Sequence, residues 1–224
     1  MEALYKSWAR ILIDNEAGDW TAVLSEAALV GPLAQKYRGV RSLLPMTMAP
    51  VMAYAQAKRG DIAAAESRIA GTPPDCYVCL RTHARIAELK GDHAGADGWF
   101  ARAVQDAPSI PLAYSEWGQA LLSRDNPDAA IVKFTLANQK GPHFADPIEM
   151  WGEALMAKNR SDLALAKFTE AEKYAPNWGR LHLKWGEALG YTGYKDRARA
   201  QYQKASTLDL NMADNAELTK AMRG

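Results

Sequence analysis

The sequence predicts an all-α fold: an α-α superhelix (solenoid) of about six helical hairpins, closed by a C-terminal capping helix. Three observations predict it. Trp117-Gly118, Trp151-Gly152 and Trp185-Gly186 recur every 34 residues, each pair followed three residues after the glycine by Leu121, Leu155 and Leu189. The same interval relates Ala130, Ala164 and Ala198, then Phe134, Phe168 and Tyr202, then Ala137, Ala171 and Ala205. Finally, Gly18, Gly60, Gly91, Asp125, Asn159 and Gly193 stand where the first helix of each hairpin should end. Gly, Asn and Asp are the residues that best tolerate the left-handed conformation of a helix C-cap.

Helix spacing explains why these residues repeat. Tyr114, Trp117, Gly118 and Leu121 fall at i, i+3, i+4 and i+7, one apolar stripe of an α-helix. Ala130, Phe134 and Ala137 make a matching stripe on a second helix. Gly118 and Ala130 let two backbones approach, while Trp117 and Phe134 fill the wedge beside them. A hairpin of this kind cannot bury its apolar face alone, so it must stack on its neighbours.

In chain order, residues 2–17 read as a first helix with Leu4, Trp8, Ile11 and Leu12 on one side. Trp20 to about Tyr37 reads as its partner, bent or split at Gly31-Pro32. Tyr37 to Pro45 is expected to be an irregular connection, so the next helix starts after Pro45 or Pro50 and runs to Arg59. Ile62 to Ala70 is its short partner, stopped by Gly71-Thr72-Pro73-Pro74. Asn126-Pro127 and Asp146-Pro147 each put a capping side chain ahead of a proline at the first helical position. Asp214 with Glu217 reads as a capping box that starts a last, more polar helix running to about Met222.

The repeated pattern resembles the tetratricopeptide repeat (TPR), two antiparallel helices with small residues at the eighth and twentieth positions and an aromatic at the twenty-fourth. The resemblance covers 111–144, 145–178 and 179–212 in register. One period earlier, in 77–110, Leu80, Ala84, Ala87, Gly91, Ala96, Phe100, Ala103 and Pro108 occupy the equivalent places, with His83 where the later units carry Trp. A shortened unit follows from Ala53, Gly60, Ala65 and Ile69 in 46–76, and 1–45 is a degenerate N-terminal hairpin. With a capping helix in 213–224, the expectation is a single TPR-like solenoid over 1–224.

The resemblance implies a concave groove lined by the first helix of each hairpin, receiving an extended or helical segment of a partner protein. The groove positions fall on Arg81, Arg85 and Glu88, on Ser115 and Gln119, on Glu149 and Glu153, and on Arg180 and Glu187. That surface has a basic end at Arg81 and Arg85 and an acidic middle at Glu149 and Glu153. The TPR units that clamp the C-terminal carboxylate of heat-shock chaperones carry a Lys and Asn pair, and the ninth positions here, Arg85, Gln119, Glu153 and Glu187, do not match it. A mixed-charge peptide is the expected ligand. The alternative is a solvated helix face, with Glu149 serving as the capping partner three residues after Asp146.

Cys76-Tyr77-Val78-Cys79, with His83 one turn on, is a second candidate. A Cys-x-x-Cys at a helix N-terminus lowers thiol pKa and supports redox or disulfide chemistry. Cys76, Cys79 and His83 also share one helical face and would offer three soft ligands to zinc. Against both stands simple packing, since His83 takes a core position of the repeat and cysteine behaves as a small apolar residue there. Trp117, Trp151 and Trp185 have the phase of core residues, His182 likewise, whereas Trp178 falls in a connection.

The 27 basic and 26 acidic residues are spread along the chain, which argues against a nucleic-acid footprint. No apolar run reaches the length of about 18 residues that a membrane span requires, and the N-terminal residues lack a signal-peptide pattern, so a cytoplasmic protein is expected. No phosphate loop, nucleophile motif or paired-histidine motif is present in the sequence, so neither enzyme activity nor a cofactor is expected. The predicted function is a non-enzymatic protein-interaction scaffold with a peptide or protein partner. Alternatives are a regulatory or sensor segment of a larger signalling protein, or a thiol or metal switch at Cys76 and Cys79. An imperfectly capped N-terminal hairpin would further permit self-association.

Overall fold

The computed structural model describes residues 2–223, apart from the side chains of Gln35, Arg38 and Val40. Among them are thirteen α-helices and no strand. The chain divides into two compact units, Met1–Pro108 and Ser109–Gly224. The first contains α1 (Glu2–Ala17), α2 (Trp20–Gln35), α3 (Arg38–Lys58), α4 (Ile62–Ala70), α5 (Tyr77–Lys90) and α6 (His93–Asp106), packed as the pairs α1/α2, α3/α4 and α5/α6. The second contains α7 (Leu112–Ser123), α8 (Pro127–Lys140), α9 (Ala145–Ala157), α10 (Ser161–Tyr174), α11 (Gly179–Tyr191) and α12 (Lys195–Ala205), again in pairs, followed by α13 (Met212–Ala221) against α11 and α12.

The turns inside the pairs are where the sequence places them. Gly18, Gly60, Gly91, Asp125, Asn159 and Gly193 are the six described residues with positive φ. At each, the next residue's N–H reaches five residues back, as in Asp92 N to Ala87 O and Asn126 N to Leu121 O, both 2.9 Å. That is the bond of a Schellman turn, and it satisfies a carbonyl the helix end would otherwise leave open. The following residue then caps the second helix: Asp19, Asp61, Asp92 and Asn126 each accept from a backbone N–H three residues on. One short turn therefore closes one helix and opens the next.

Packing follows the small-to-large pairing of the repeats. A Cβ added at Gly152 would come to 2.9 Å of the Phe168 ring, and Gly118 and Gly186 face Phe134 and Tyr202 more closely still. In the first unit Ala53 and Ala84 take the small position, with Ile69 and Phe100 fully buried at the large one. The alanines at 65, 96, 130 and 164 have no exposed surface. Burying these side chains is the main favourable term for each hairpin.

Lysines of the second helix cover two of the repeated tryptophans. Lys133 Nζ lies 3.2 Å above the Trp117 ring and Lys167 Nζ 4.0 Å above that of Trp151. One period later the lysine position is Gln201, and Trp185 is the more deeply buried ring. Gln201 Oε1 instead pairs with Nδ1 of the buried His182 at 2.7 Å, whose Nε2 lies 2.9 Å from Pro176 O. His182 is thus packed, as its repeat position suggests, and Trp178 is half-buried at the N-cap of α11.

Five local expectations are corrected. Gly31-Pro32 does not split α2, and 38–45 is not an irregular connection: α3 begins at Arg38 and contains both Pro45 and Pro50. Each interior proline costs on the order of 3 kcal/mol. The offset is a shared apolar cluster in which Leu4, Ile11, Val23, Val30 and Met48 are buried, so tertiary packing overrides the local breaker. Asp146 does not cap α9, which begins at Ala145; its carboxylate accepts from Ser115 Oγ at 2.7 Å. Glu149 is correspondingly no capping partner, being completely buried. The cap of α13 is Asn211 rather than Asp214: Asp214 N donates to Asn211 Oδ1 at 2.8 Å while Asn211 Nδ2 donates back to Asp214 Oδ2 at 2.7 Å. No helix among the described residues is long and apolar enough to cross a membrane.

Candidate functional site

The inner helices of the second unit, α7, α9, α11 and α13, carry a ladder of charge at the repeat positions that sequence assigns to the groove. Asp146, Arg180 and Asp214 are spaced by the 34-residue period, each at the start of its helix. Arg180 is the hub. Its Nη2 donates to Glu153 Oε1 at 2.6 Å, its Nη1 to Asp214 Oδ1 at 3.1 Å, and its Nε lies 3.7 Å from Glu149 Oε2. One guanidinium thus ties α9, α11 and α13 together, using the forked geometry that suits Arg for multiple carboxylates.

Burial sets the protonation of this cluster. Glu149 has no exposed surface, and neither of its carboxylate oxygens has a hydrogen-bond partner. Burial, reinforced by the Glu153 charge, pushes its carboxyl well above the usual range despite Arg180. Burial also raises Asp146, with the Ser115 hydroxyl and Arg180 opposing. For Arg180, burial works against the charge, but Glu149, Glu153 and Asp214 outweigh it and raise its pKa. Burial thus biases Glu149 toward its neutral acid beside the Arg180 guanidinium, whose charge is favoured by the carboxylates around it.

A second network borders the first. Lys184 Nζ donates to Glu217 Oε1 at 2.7 Å and to Glu187 Oε2 at 3.1 Å. Burial disfavours the Lys184 ammonium, yet the Glu217 hydrogen bond and the nearby Glu153 and Glu187 leave its pKa raised. Burial raises Glu187, against the pull of Lys184. Between these networks lies a cavity of about 360 Å³ lined by Glu153, Met156, Lys184, Glu187, Ala188 and Tyr191, with the Phe168 ring beneath. Its rim is charged and its floor apolar, and Tyr191 at its edge donates from its hydroxyl to Asn159 Oδ1 at 3.0 Å.

The structure thus brings Glu149, Glu153, Arg180 and Glu187 into one region and separates their roles. Glu153, Arg180 and Glu187 keep part of their side chains exposed, whereas Ser115 and Glu149 are buried and face their own chain. Gln119 is exposed on α7. Lys184 and Tyr191 belong to the region and were not singled out in the sequence, and Asp214 and Glu217, read there as a capping box, belong to it as well. Asp214 had a signal: it stands one period after Arg180, with the opposite charge.

In the first unit, Arg81 and Arg85 both lie over tyrosine rings. The Arg85 guanidinium carbon is 3.5 Å from the Tyr54 ring centre, and that of Arg81 is 5.4 Å from Tyr77. Tyr54 in turn meets Trp20 edge to face at 5.4 Å. Glu88 pairs with His93 at 3.4 Å. A larger cavity of about 660 Å³, walled by Val30, Leu44, Met48 and Met52 beside Arg68, lies between α2, α3 and α4. It contains none of the predicted groove residues, and Arg68 Nε is engaged by Gln56 Oε1 at 2.8 Å.

The zinc reading of Cys76, Cys79 and His83 is corrected. Cys76 and Cys79 are joined in a disulfide, which removes both thiolate ligands. His83 stacks on Trp99 with ring centres 4.2 Å apart, and burial, with Arg102 adding to it, lowers its pKa.

Paired helices with small residues at the close approach and a charged inner face define a TPR-type fold. Solved structures agree. MamA matches over 72% of this chain and 90% of its own, at 19% identity and a TM-score of 0.54. YrrB, described as a TPR protein with an unusual peptide-binding site, matches over 79% of this chain and 91% of its own, at 14% identity and a TM-score of 0.53. PilF of Pseudomonas aeruginosa matches over 80% and 85%, at 14% identity and a TM-score of 0.62. No protein-family model matches the sequence, and no curated protein does.

Proposed function

We propose that this chain is a non-enzymatic protein-interaction module whose second unit receives a basic side chain of a partner segment on the inner face of α9 and α11. The observation that carries the proposal is the cavity rimmed by Glu153 and Glu187 over Met156, Ala188 and Tyr191. Both nearby cations are already engaged, Arg180 by Glu153 and Asp214, Lys184 by Glu187 and Glu217. Carboxylates therefore outnumber cations at the rim, and an apolar floor suits the methylene stem of a lysine or arginine. YrrB, which shares the fold, is described as having a peptide-binding site. Gln119 of the second unit would contact a backbone group of the segment, and in the first unit, taken by itself, Arg81 and Arg85 would meet acidic groups of a partner.

Titration calorimetry with short peptides that differ only in carrying Lys, Gln or Glu at one central position tests this. The Lys peptide is expected to bind more tightly than the Glu peptide, and Glu187→Gln to weaken it by about tenfold, roughly 1.4 kcal/mol. Equal binding of the Lys and Glu peptides would overturn the assignment.

A second reading rests on α1, where Tyr5, Leu12 and Ile13 are 66%, 50% and 66% exposed. Such a face on the N-terminal hairpin supports self-association. Light scattering would show a concentration-dependent dimer that Ile13→Lys abolishes; a monomer at all concentrations ends the idea.

A further inference from the structure

The Cys76-x-x-Cys79 pair lies outside the groove and owes nothing to it. The loop that delivers it is short and well tied. Thr72 N and Oγ1 donate to Ile69 O at 3.1 and 2.7 Å, Cys76 N donates to Pro73 O at 3.2 Å, and Arg102 Nη2 reaches from α6 to Pro74 O at 2.9 Å. Cys76 is the N-cap of α5, its Sγ accepting from Cys79 N–H at 3.3 Å. The two sulfurs are bonded to each other.

The two cysteines differ sharply in environment. Cys76 is partly exposed at the loop end, whereas Cys79 is 1% exposed among Ala53, Ala57, Ala65, Ile69 and Ile86. A thiol from outside has access to one sulfur of the bond only. At Cys76 the N-terminus of α5 and its amide donors stabilise a thiolate, while the apolar surroundings of Cys79 favour the protonated thiol. The disulfide closes no long loop, since only two residues separate its ends. Its contribution to stability through loop closure is correspondingly small, which leaves reactivity as the property this arrangement serves.

We propose that Cys76–Cys79 is a redox-active disulfide that exchanges with thiol reductants through Cys76. In the first step a thiolate attacks Cys76 Sγ; the Sγ–Sγ bond breaks, and Cys79 leaves as a thiolate and takes up a proton. This yields a mixed disulfide between Cys76 and the reductant. A second thiolate then attacks the reductant's sulfur and releases Cys76 as a thiolate at the N-terminus of α5. Two electrons pass from two thiols to the pair, the reductant emerges as its disulfide, and reoxidation runs the same steps backwards through a disulfide-bearing oxidant. Both redox states keep a sulfur at the N-cap, so α5 has a cap acceptor in each.

The test uses the whole chain in mixtures of reduced and oxidised glutathione, with free thiols trapped by a maleimide and counted by mass, and the fold followed by circular dichroism. The expected result is a single two-thiol transition under native conditions, with unchanged helicity. Brief trapping of the reduced chain should label Cys76 at least about tenfold faster than Cys79, as exposure and thiolate fraction require. Cys79→Ser should accumulate glutathione on Cys76, and Cys76→Ser should accumulate none on Cys79. A parallel titration with dithiothreitol distinguishes a dithiol from a monothiol source: a bond opened by dithiothreitol, with no adduct on Cys76 of the Cys79→Ser chain in the glutathione mixtures, assigns the site to dithiol reductants. A disulfide that opens only when helicity is lost would overturn the proposal, as would equal labelling of the two cysteines or a native chain that isolates with both thiols free in the presence of oxidised glutathione.

Discussion

Arg180 Nη2 donates to Glu153 Oε1 over 2.6 Å, so a residue of α11 is held by a residue of α9 a full repeat earlier. The same guanidinium reaches Asp214 on α13. Stacking of the inner helices in the second unit is therefore electrostatic as well as apolar.

Replacing Arg180 with Met should be costly, because it strands Glu153 and Asp214 near buried Glu149. The expected loss is on the order of 3 kcal/mol by denaturant unfolding. Adding Glu149→Gln to Arg180→Met should recover part of it. A loss below about 1 kcal/mol would mean that Arg180 behaves as a surface ion pair.

Stability should depend on the proton held by Glu149. Its pKa is raised in the fold, so the folded chain binds that proton more tightly than the unfolded chain does. The stability it contributes is fully present below the ordinary carboxylate pKa and is lost as pH rises through the folded value. Thermal midpoints between about pH 5 and about pH 8 should therefore fall less steeply in Glu149→Gln than in the parent. Parallel curves would show that Glu149 is ionised throughout.

Two glycine-to-alanine substitutions should have opposite signs. At Gly152 the added Cβ collides with the Phe168 ring, at an expected cost of about 1–3 kcal/mol, relieved by pairing it with Phe168→Leu. At Gly98, in the interior of α6, nothing lies within 4 Å of the new atom, and a gain of about 0.4–1 kcal/mol is expected. Thermal unfolding of both variants checks this; a stabilised Gly152→Ala would refute the close-approach account of the repeat glycine.

Asn211→Ala removes the side chain that accepts from Asp214 N and donates to its carboxylate. The expected cost is about 1 kcal/mol. It should appear as faster amide hydrogen exchange confined to α13, with α7 to α10 unaffected; uniform acceleration would mean that the cap supports the whole unit.

The helical hairpins were legible in the sequence because their signals are local and repeat. Gly60, Gly91, Asp125, Asn159 and Gly193 each sit at a left-handed turn for a steric reason that needs no knowledge of distant residues. Gly118 with Phe134 and Gly152 with Phe168 announce themselves by a shared period. The prolines of α3 were misread for the complementary reason. Pro45 and Pro50 are local breakers, and α3 runs through both because residues between and beside them, Met48 among them, pack in one cluster with Val23 and Val30 of α2.

The site divides the same way. Sequence position placed Glu149, Glu153, Arg180 and Glu187 on inner helices, because repeat register dictates which way a side chain faces. Which of them meets solvent, and which meets another of the set, depends on the distance between successive hairpins. That distance buries Glu149 completely, leaves Glu153 and Glu187 at a cavity rim, and brings in Lys184, Asp214 and Glu217. Likewise, the spacing of Cys76 and Cys79 is a property of the sequence, while the contrast between a reachable sulfur and a buried one exists only once α3, α4 and α5 have packed together. Periodicity determined the fold because each repeat restates it; the charges, whose sign and burial change from one repeat to the next, acquired their roles only from the neighbours that folding gave them.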